Sequence, residues 1–258
     1  MEQFLHNLVS TWWGIVIICV VAVALWVLLS ALLYRQFFKR FYDIVLSGMA
    51  LLVLSPILLV LIIVGAINMK GNPFFTQLRP GKNEKIFKLF KFRTMTNERD
   101  ETGELLPDDV RLTKYGKFLR ATSLDEIPEL INIFIGNMSI VGPRPQLVRD
   151  MVFMTNEQRK RHTVSPGLTG LAQCSGRNNM TWEQKFDYDL QYIRKISLWK
   201  DIGIIFMTAF KVFKQDGITE EGEATATDLG DYLLSKGEVS DDKYNELQKE
   251  ARELMLTR

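Results

Sequence analysis

The stretch IVLSGMALLVLSPILLVLIIVGAI, from Ile44 to Ile67, determines how this chain is expected to associate with a membrane. It carries no charged residue and is long enough to cross a bilayer as a helix. Ser55 and Pro56, however, lie almost at its midpoint. Proline removes one helical hydrogen bond and clashes with the preceding turn, so the pair predicts a bend in the middle of the segment.

Positive charge lies on both sides of this stretch. Basic residues precede it at Arg35, Lys39 and Arg40, and a longer series follows it: Lys70, Arg79, Lys82, Lys85, Lys88, Lys91 and Arg93. Because cytoplasmic flanks are enriched in Lys and Arg, both ends are expected in the cytoplasm. The sequence therefore predicts a re-entrant helix–break–helix that dips into one leaflet, while an ordinary kinked crossing stays open.

Another apolar run lies nearer the N-terminus, from Trp12 to Leu33. As a helix it would be ~33 Å long, which is enough to cross a bilayer. A cleaved signal peptide would need a positively charged start, whereas this chain begins Met1-Glu2-Gln3. We therefore expect an uncleaved transmembrane anchor whose C-terminal end, followed by Arg35 and Lys39, faces the cytoplasm.

The composition divides the chain into unlike parts. Of the 258 residues, 47% are hydrophobic and 24% are charged, and removal of the two apolar runs leaves a polar chain that can form one modest domain. This pattern excludes a wholly soluble protein and a many-pass transporter. Two cysteines give no disulfide framework, and two histidines leave zinc chemistry almost without ligands.

Charge is also distributed unevenly, although the net charge is only +2. Residues 216–258 contain 12 acidic and 5 basic residues, so the rest of the chain carries a net charge of +9. A basic, membrane-attached body suits an anionic surface or an anionic substrate. The acidic tail is interpreted as a solvated accessory segment that forms a helix from Asp241 to Leu256.

Periodicity predicts the main elements of the body. Ile86 to Met95 alternates apolar and basic residues, which indicates a half-buried strand whose polar face carries Lys88 and Lys91 or their neighbours. Helical spacing recurs in three later segments: Phe118–Arg120, Trp182–Tyr192 and Trp199–Phe213. The last of them fits two environments equally well, the protein core or the headgroup plane of a membrane.

The segment SLDEIPEL, Ser123 to Leu130, is the most informative for chemistry. Ser123 followed by Glu126 is a capping-box pattern, which predicts that a helix starts here. Asp125 would then lie at the positive end of that helix, where backbone N–H groups can also receive a phosphate. Two interpretations stay open: acidic residues that decorate a helix start, or an ionised Asp125 that acts as a nucleophile.

Several arginines lie on or beside rigid turns that flank this pair. Arg120 precedes it, Arg144 lies in the turn Gly142–Pro145, and Arg177 follows Gly176 in a further turn. Guanidinium groups held on rigid turns suit bidentate contact with phosphate. In a membrane-anchored chain, their combination with a dicarboxylate favours a site that handles phosphate groups.

Two other functions fit parts of the pattern. A metal-dependent glycosyltransferase would release UDP and use an Asp-x-Asp motif, for which Asp187 and Asp189 are the candidates, although they lie in a helical pattern. A membrane-anchored scaffold that binds anionic lipid would explain the basic body. It would not explain Asp125 and Glu126 or the arginine turns.

A series of motifs resembles that of the bacterial sugar transferases. In chain order they are KRFYD (Lys39–Asp43), Ser55-Pro56, FKFRTM (Phe90–Met95), TSLDEIPEL (Thr122–Leu130), GNMSIVGPRP (Gly136–Pro145), PGLTGLAQ (Pro166–Gln173) and GRN (Gly176–Asn178). More narrowly, the series is similar to that of the small monotopic phosphoglycosyl transferases, which start glycan assembly on a polyprenyl phosphate. The resemblance runs from about Lys39 to Gln215 and covers neither the first apolar run nor the tail.

The resemblance implies a two-step phosphoryl transfer that begins the assembly of a surface glycan. Asp125 would attack the β-phosphorus of a UDP-sugar and release UMP, and undecaprenyl phosphate would then take the sugar-1-phosphate from the covalent intermediate. Glu126 would assist, either in a Mg²⁺ site with Asp125 or in proton handling. The residues that match phosphate and nucleotide contacts are Lys91, Arg93, Arg120, Arg144 and Arg177.

The fold implied is a membrane-associated α/β protein, with a compact cytoplasmic catalytic body and interfacial amphipathic helices at a bacterial inner membrane. The expected parts are an anchor at 1–38, a re-entrant helix at 39–70, a catalytic domain at 71–215 and an acidic tail at 216–258. The expected partners are the bilayer, the UDP-sugar and undecaprenyl phosphate, and not nucleic acid. Downstream glycosyltransferases and a second copy of the chain stay open as partners.

The identity of the sugar is left open by the sequence. The segment GRNNMTWEQKF, Gly176 to Phe186, resembles the branch of the family that transfers a bacillosamine phosphate, which favours an N-acetylated hexosamine derivative. Galactose and glucose stay open as alternatives.

Overall fold

The computed structural model describes residues 12–176, 180–214 and 227–256. Two long apolar helices come first: α1, Trp12–Leu32, and α2, Lys39–Asn68. A five-residue π-helix, Tyr34–Phe38, joins them. Both helical spans are long and apolar enough to cross a membrane, so the two apolar runs form the helices that the sequence predicts.

Helix α2 continues through Ser55 and Pro56, where a break was predicted. In an ordinary helix the N–H of residue 56 would donate to the carbonyl oxygen of Leu52, but proline has no N–H. The Ser55 hydroxyl donates to that oxygen instead, at 2.7 Å. The missing donor is therefore replaced within the same turn, which explains why the helix is not interrupted. The re-entrant path of the segment stays a prediction.

Both ends of α2 pack on the same folded body. At its start, the Lys39 ammonium donates to the carbonyl oxygen of Val141 at 2.9 Å. Near its end, Leu61 is buried, and its carbonyl oxygen accepts a hydrogen bond from the Tyr115 hydroxyl at 3.0 Å. Side chains between these points also join a core cluster of the body, so the helix lies along the body.

The body begins with an antiparallel hairpin of β1, Phe74–Pro80, and β2, Ile86–Phe92. Strand β2 is the strand predicted from the alternating pattern, although it ends before Met95. Because side chains alternate between the two faces of a strand, Lys88 and Lys91 point to opposite sides. Of the two lysines named for the polar face, only one can lie on it: Lys88 is exposed, whereas Lys91 is half-buried on the other face.

Three helices follow the hairpin: α3, Asp108–Arg111; α4, Lys114–Ala121; and α5, Glu129–Ile135. Helix α4 contains the predicted helical segment around Phe118. Its N-cap is Thr113, whose hydroxyl accepts a hydrogen bond from the Gly116 N–H at 2.9 Å. Gly116 packs tightly on the chain after β2, because a Cβ atom there would lie 1.9 Å from the Thr94 carbonyl oxygen.

A second, parallel sheet pairs β3, Ser139–Val141, with β4, Gly167–Thr169. Helices α6, Val148–Met151, and α7, Asn156–Arg159, lie between these strands in sequence, and α8, Leu171–Ser175, follows them. This mixture of helices and sheets agrees with the predicted α/β class.

Two longer helices, α9, Trp182–Arg194, and α10, Leu198–Lys214, match the predicted amphipathic and apolar segments. Helix α10 buries Asp201 and Ile204, but it leaves Phe206 and Phe210 exposed. One face of α10 therefore belongs to the core, whereas the other is largely exposed to the surroundings of the protein. A position of this second face in the headgroup plane stays a prediction.

The last two helices are α11, Leu229–Ser235, and α12, Asp241–Leu256. The helix predicted from Asp241 to Leu256 is confirmed, but its interpretation as solvated is wrong. Ala251 and Leu229 are buried in a core cluster with Phe153 and Phe186 of the body. The reason is a stripe of apolar residues at helical spacing on α12, namely Tyr244, Leu247, Ala251 and Leu254, which packs against the body.

Substitution Gly116→Ala tests the close approach of α4 to the chain after β2. A methyl group 1.9 Å from a backbone oxygen must displace one of the two segments. We expect a loss of unfolding free energy of about 1–3 kcal/mol, as for other overpacked sites, measured by thermal unfolding in detergent.

The matched control is Gly203→Ala in α10, where a Cβ atom would meet nothing within 4 Å. Alanine is the better helix former, so this variant should be unchanged or more stable by about 0.5–1 kcal/mol. Equal unfolding temperatures for the two variants would contradict the packing described for Gly116.

Candidate active site

A cluster of opposite charges lies where β2, the turn before α5 and the loop after β3 meet. The Lys91 ammonium lies 2.7 Å from Glu126 Oε1 and 3.1 Å from Glu129 Oε1. Arg144 Nη2 lies 2.9 Å from the same oxygen of Glu126. One carboxylate oxygen is therefore shared by two cations that come from separate parts of the chain.

The backbone before the carboxylates differs from the sequence prediction. Ser123 has a φ of 55° in the left-handed region and makes no side-chain capping hydrogen bond, so the predicted capping box is wrong. Leu124–Glu126 form a single 3₁₀ turn, and α5 starts only at Glu129, after Pro128. Proline cannot donate to Leu124, so a regular α-helix from Ser123 would lack a hydrogen bond at this point.

This geometry changes the interpretation of Asp125. It lies in the middle of a three-residue turn and not in the first turn of a long helix. The electrostatic environment of its carboxyl group is therefore determined by nearby side chains and not by a helix dipole. Burial raises the pKa of Asp125 above its usual value, and the negative charge of Glu126 adds to the effect. Lys91, Arg144 and Arg120 act in the opposite direction and favour the ionised form.

Arg120 reaches this region from the last turn of α4. Its Nε donates to the Thr94 hydroxyl at 3.2 Å, which ties it to the chain after β2. The close packing of Gly116 against Thr94 therefore also sets the position of Arg120. The structure brings five predicted site residues together: Lys91, Arg120, Asp125, Glu126 and Arg144.

Glu126 is held ionised by its two cations. Burial alone would raise the pKa of its carboxyl group, but Lys91 and Arg144 lower it well below the usual value. In return, Glu126 raises the pKa of Arg144. The guanidinium of Arg144 is 45% exposed, so a charged group outside the protein can reach it.

Glu129 is a third carboxylate of the site, which the sequence reasoning missed. It is 4% exposed, and burial raises its pKa to about 7, with a further contribution from the charge of Glu126 and an opposing one from Lys91. The spacing could have revealed it, because residues three apart on a helical turn lie on the same side.

Asn132 was also missed, and it joins α5 to β2. Its amide oxygen accepts a hydrogen bond from the Phe90 N–H at 2.9 Å, and its amide nitrogen donates to the Lys88 carbonyl oxygen at 2.8 Å. Since Asn132 is fully buried, these bonds fix Lys91 relative to the carboxylates of α5 and the preceding turn. A polar residue within the apolar run of α5 was the available signal.

Of the predicted contact residues that the structure describes, Arg93 does not join the cluster. Arg93 directly follows β2, its backbone N–H donates to the Pro73 carbonyl oxygen at 2.7 Å, and it forms no ion pair within the described ranges. Arg177 lies outside the described residues.

The Asp187/Asp189 pair does not form a metal site in this structure. Asp189 is 3% exposed and accepts hydrogen bonds from Arg161 Nε and Nη2 at 2.9 and 2.6 Å. Asp187 is exposed on another side of α9. The arrangement therefore gives no support to the prediction of an Asp-x-Asp glycosyltransferase motif.

The residues that could hold a divalent cation are Asp125 and Glu126. Among residues 12–176, 180–214 and 227–256, no group of three or more His, Cys, Asp or Glu side chains is arranged to hold a metal ion. Mg²⁺ is commonly bound by only one or two carboxylates together with substrate phosphates, so an adjacent pair fits that ion. Because Lys91 and Arg144 already share Glu126 Oε1, the fit depends mainly on Asp125.

Comparisons with known proteins show the family of this chain. The family model described as bacterial sugar transferase matches residues 34–215. An uncharacterized sugar transferase of Bacillus subtilis, EpsL, is 44% identical over 202 residues, which cover 78% of this chain and 98% of that protein.

Two longer relatives carry more specific names. A UDP-glucose:undecaprenyl-phosphate glucose-1-phosphate transferase of Klebsiella pneumoniae is 44% identical over 68% of this chain, and an undecaprenyl-phosphate galactose phosphotransferase of Salmonella typhimurium is 36% identical over 70%. The matched regions make up 40% and 42% of those proteins, so this chain spans about two fifths of their length.

Substitution Glu129→Gln tests the buried carboxylate by its pH dependence. With a pKa of about 7 when folded and a lower value when unfolded, Glu129 keeps its proton in the folded state while the unfolded state loses it. The stability that it contributes is therefore present at acidic pH and lost as the pH rises through 7. Relative to wild type, the variant should become progressively more stable between pH 5 and pH 8 in thermal unfolding.

The exposed variant Glu157→Gln removes one negative charge elsewhere and serves as the control for net charge. A stability difference between Glu129→Gln and wild type that stays constant or shrinks with rising pH would contradict the raised pKa of Glu129.

Proposed function

Because the chain belongs to the bacterial sugar transferase family, we propose that it transfers a sugar-1-phosphate from a UDP-sugar to undecaprenyl phosphate and releases UMP. The observation that carries this proposal is the pair Asp125 and Glu126 within reach of Lys91, Arg120 and Arg144. The names of the Klebsiella and Salmonella relatives support the same class of reaction.

In the first step, an Asp125 carboxylate oxygen attacks the phosphorus atom that carries the sugar. The bond from this phosphorus to the oxygen that bridges the two phosphates breaks, and UMP leaves. In the second step, an oxygen of undecaprenyl phosphate attacks the same phosphorus and displaces Asp125, which regenerates the enzyme. Each step exchanges one P–O bond for another, so no oxidant or further co-reactant is required.

The cations of the site match the requirements of this chemistry. A carboxylate is a weak nucleophile, so it depends on in-line positioning and on neutralised phosphate charge. Burial raises the pKa of Asp125, and the positive charges of Lys91, Arg144 and Arg120 oppose that rise and so favour the ionised, nucleophilic form. The Arg144 side chain is 45% exposed, so a diphosphate can reach it from outside the protein. Mg²⁺, held by Asp125 and Glu126, would offset further phosphate charge.

The membrane arrangement that we propose places this site at the cytoplasmic face of the inner membrane. Both ends of α2 pack on one body, which supports a segment that enters and leaves on the same side. One substrate is a lipid phosphate at headgroup level and the other is soluble, so a site at the interface serves both.

The decisive experiment measures which nucleotide leaves. Full-length protein in nanodiscs receives Mg²⁺, undecaprenyl phosphate and a panel of UDP-sugars that includes glucose, galactose and N-acetylated hexosamines. We expect UMP in proportion to lipid-linked sugar phosphate, its loss with EDTA, and its loss in Asp125→Asn. That variant should stay folded and membrane-bound, because it preserves the shape of the side chain.

Other outcomes separate the alternatives. UDP in place of UMP would support a glycosyltransferase that moves the sugar alone. Folded wild-type protein that releases no nucleotide from any donor would support the lipid-binding scaffold. Exposed Asp187→Asn is the matched control, since it removes a carboxylate from the rival motif and should leave UMP release unchanged.

Cysteine labelling tests the topology. In a background without Cys19 and Cys174, single cysteines replace the exposed residues Trp12, Arg35 and Lys85. A membrane-impermeant maleimide should reach Arg35→Cys and Lys85→Cys from the same side and Trp12→Cys from the other. Labelling of Arg35→Cys and Lys85→Cys from opposite sides would show that α2 crosses the membrane.

A further inference from the structure

The loop that carries Arg144 is held mainly through its backbone carbonyl oxygens. That of Pro143 accepts from the Gly167 N–H at 2.9 Å, that of Arg144 from Arg161 Nη2 at 2.7 Å, and that of Pro145 from Arg79 Nη1 at 3.2 Å. The three donors come from β4, from the turn after α7 and from β1. The backbone on both sides of Arg144 is therefore fixed, while its side chain is partly exposed and donates to Glu126.

Arg161 is the most deeply buried of these donors. It is 1% exposed, and its Nε and Nη2 groups both donate to Asp189 Oδ2. Nη2 also donates to the Arg144 carbonyl oxygen, so a single guanidinium joins α9 to the loop. Its face lies near the ring of Phe186, 5.8 Å from the ring centroid. A group so enclosed cannot touch a substrate, and any effect on the reaction passes through Arg144.

A gain in stability does not explain this buried ion pair. Removal of two charges from water is expensive, and well-packed apolar residues in the same place are often as stable or more stable. The Arg161–Asp189 ion pair does hold a hydrogen-bond donor, Arg161 Nη2, at the carbonyl oxygen of Arg144. Since Pro143 and Pro145 restrict the backbone on each side, a donor at this point also determines the direction in which the Arg144 side chain leaves the loop.

We propose that Arg161, held by Asp189, is the positioning residue for Arg144, and that it directs the Arg144 guanidinium toward Glu126 and the phosphates of the donor. The second half of this inference rests on the function proposed above, whereas the first half concerns the loop alone. The tests below keep the two apart.

The main variant is the double substitution Arg161→Met with Asp189→Leu. It replaces both charges together, so no uncompensated charge stays buried and the fold should persist. The matched control is Arg159→Met, two residues earlier. Arg159 donates to both carboxylate oxygens of Glu84 at 2.7 and 2.6 Å, away from the Arg144 loop.

The first readout does not depend on activity. Hydrogen–deuterium exchange should rise in the peptide that covers residues 142–147 of the double variant and stay unchanged in that of Arg159→Met. A peptide from β2, residues 86–92, should exchange alike in all three proteins. Unchanged exchange in residues 142–147, or a general rise across the chain, would overturn the proposed role of Arg161 whatever the reaction is.

The second readout is coupling to Arg144. In a wild-type background the double variant should lower kcat/KM for UMP release by about 10–100-fold, the scale expected for a slightly misplaced catalytic group. In an Arg144→Gln background the same change should cost less than about 3-fold, because nothing is left to position. The dissociation constant of UMP, measured by titration on all four proteins, should show the same non-additivity.

Equal losses in both backgrounds would mean that Arg161 acts only on general stability, and the proposal would fail. An absence of UMP release in wild-type protein would instead defeat the proposed function, while the exchange result would still decide the role of Arg161.

Discussion

One carboxylate oxygen, Oε1 of Glu126, accepts contacts from both Lys91 and Arg144, and the site is organised around this shared oxygen. Lys91 belongs to the first hairpin and Arg144 to the loop after β3. Because both contact the same oxygen of Glu126, this carboxylate links the two sheets of the body. Buried charges require partners, and in this cluster each group satisfies another. Asp125 lies beside this cluster, where the positive charges of Lys91 and Arg144 oppose the rise in its pKa that burial causes.

The need to pair buried charges also connects the site to the apolar helices. Val141, which precedes the Arg144 loop, accepts a hydrogen bond from Lys39 at the start of α2. Lys39 also forms an ion pair with Asp201 of α10 at 2.6 Å. Two helices with exposed apolar faces, α2 and α10, are therefore connected to the backbone that leads into the Arg144 loop. This arrangement fixes the depth of the site relative to the apolar faces of α2 and α10.

Much of the structure could be predicted because its causes are local in sequence. Charge-free runs form α1 and α2, and the helix predicted from Asp241 to Leu256 is α12. Of the six described residues predicted for catalysis or substrate contact, five, among them Asp125 and Arg144, come together in space. Sequence spacing pointed to Asp125 and Glu126 and a turn pointed to Arg144, whereas Lys91 came from the family resemblance.

The failures have a common origin in contacts that are distant in sequence. A capping-box pattern at Ser123 gave way to a 3₁₀ turn, because Pro128 lacks a donor and the neighbouring cations stabilise the carboxylates without a helix dipole. The tail packs on the body because α6 and α9 present an apolar surface to it, and that surface could not be located from the sequence of the tail itself. The value of Asp189 as a metal ligand depended on Arg161, which lies 28 residues earlier in the chain.

The hydrogen bond from Ser55 to Leu52 has a consequence for how this segment can change over evolutionary time. Proline at position 56 leaves a carbonyl oxygen without its helical donor, and an unsatisfied carbonyl costs about 1–3 kcal/mol or more in an apolar environment. The serine hydroxyl removes that penalty, so the Leu52 carbonyl oxygen stays satisfied although Pro56 cannot donate to it. The tolerance of the helix for Pro56 therefore depends on the residue before it, and a replacement of Ser55 that removes the hydroxyl would expose the full penalty.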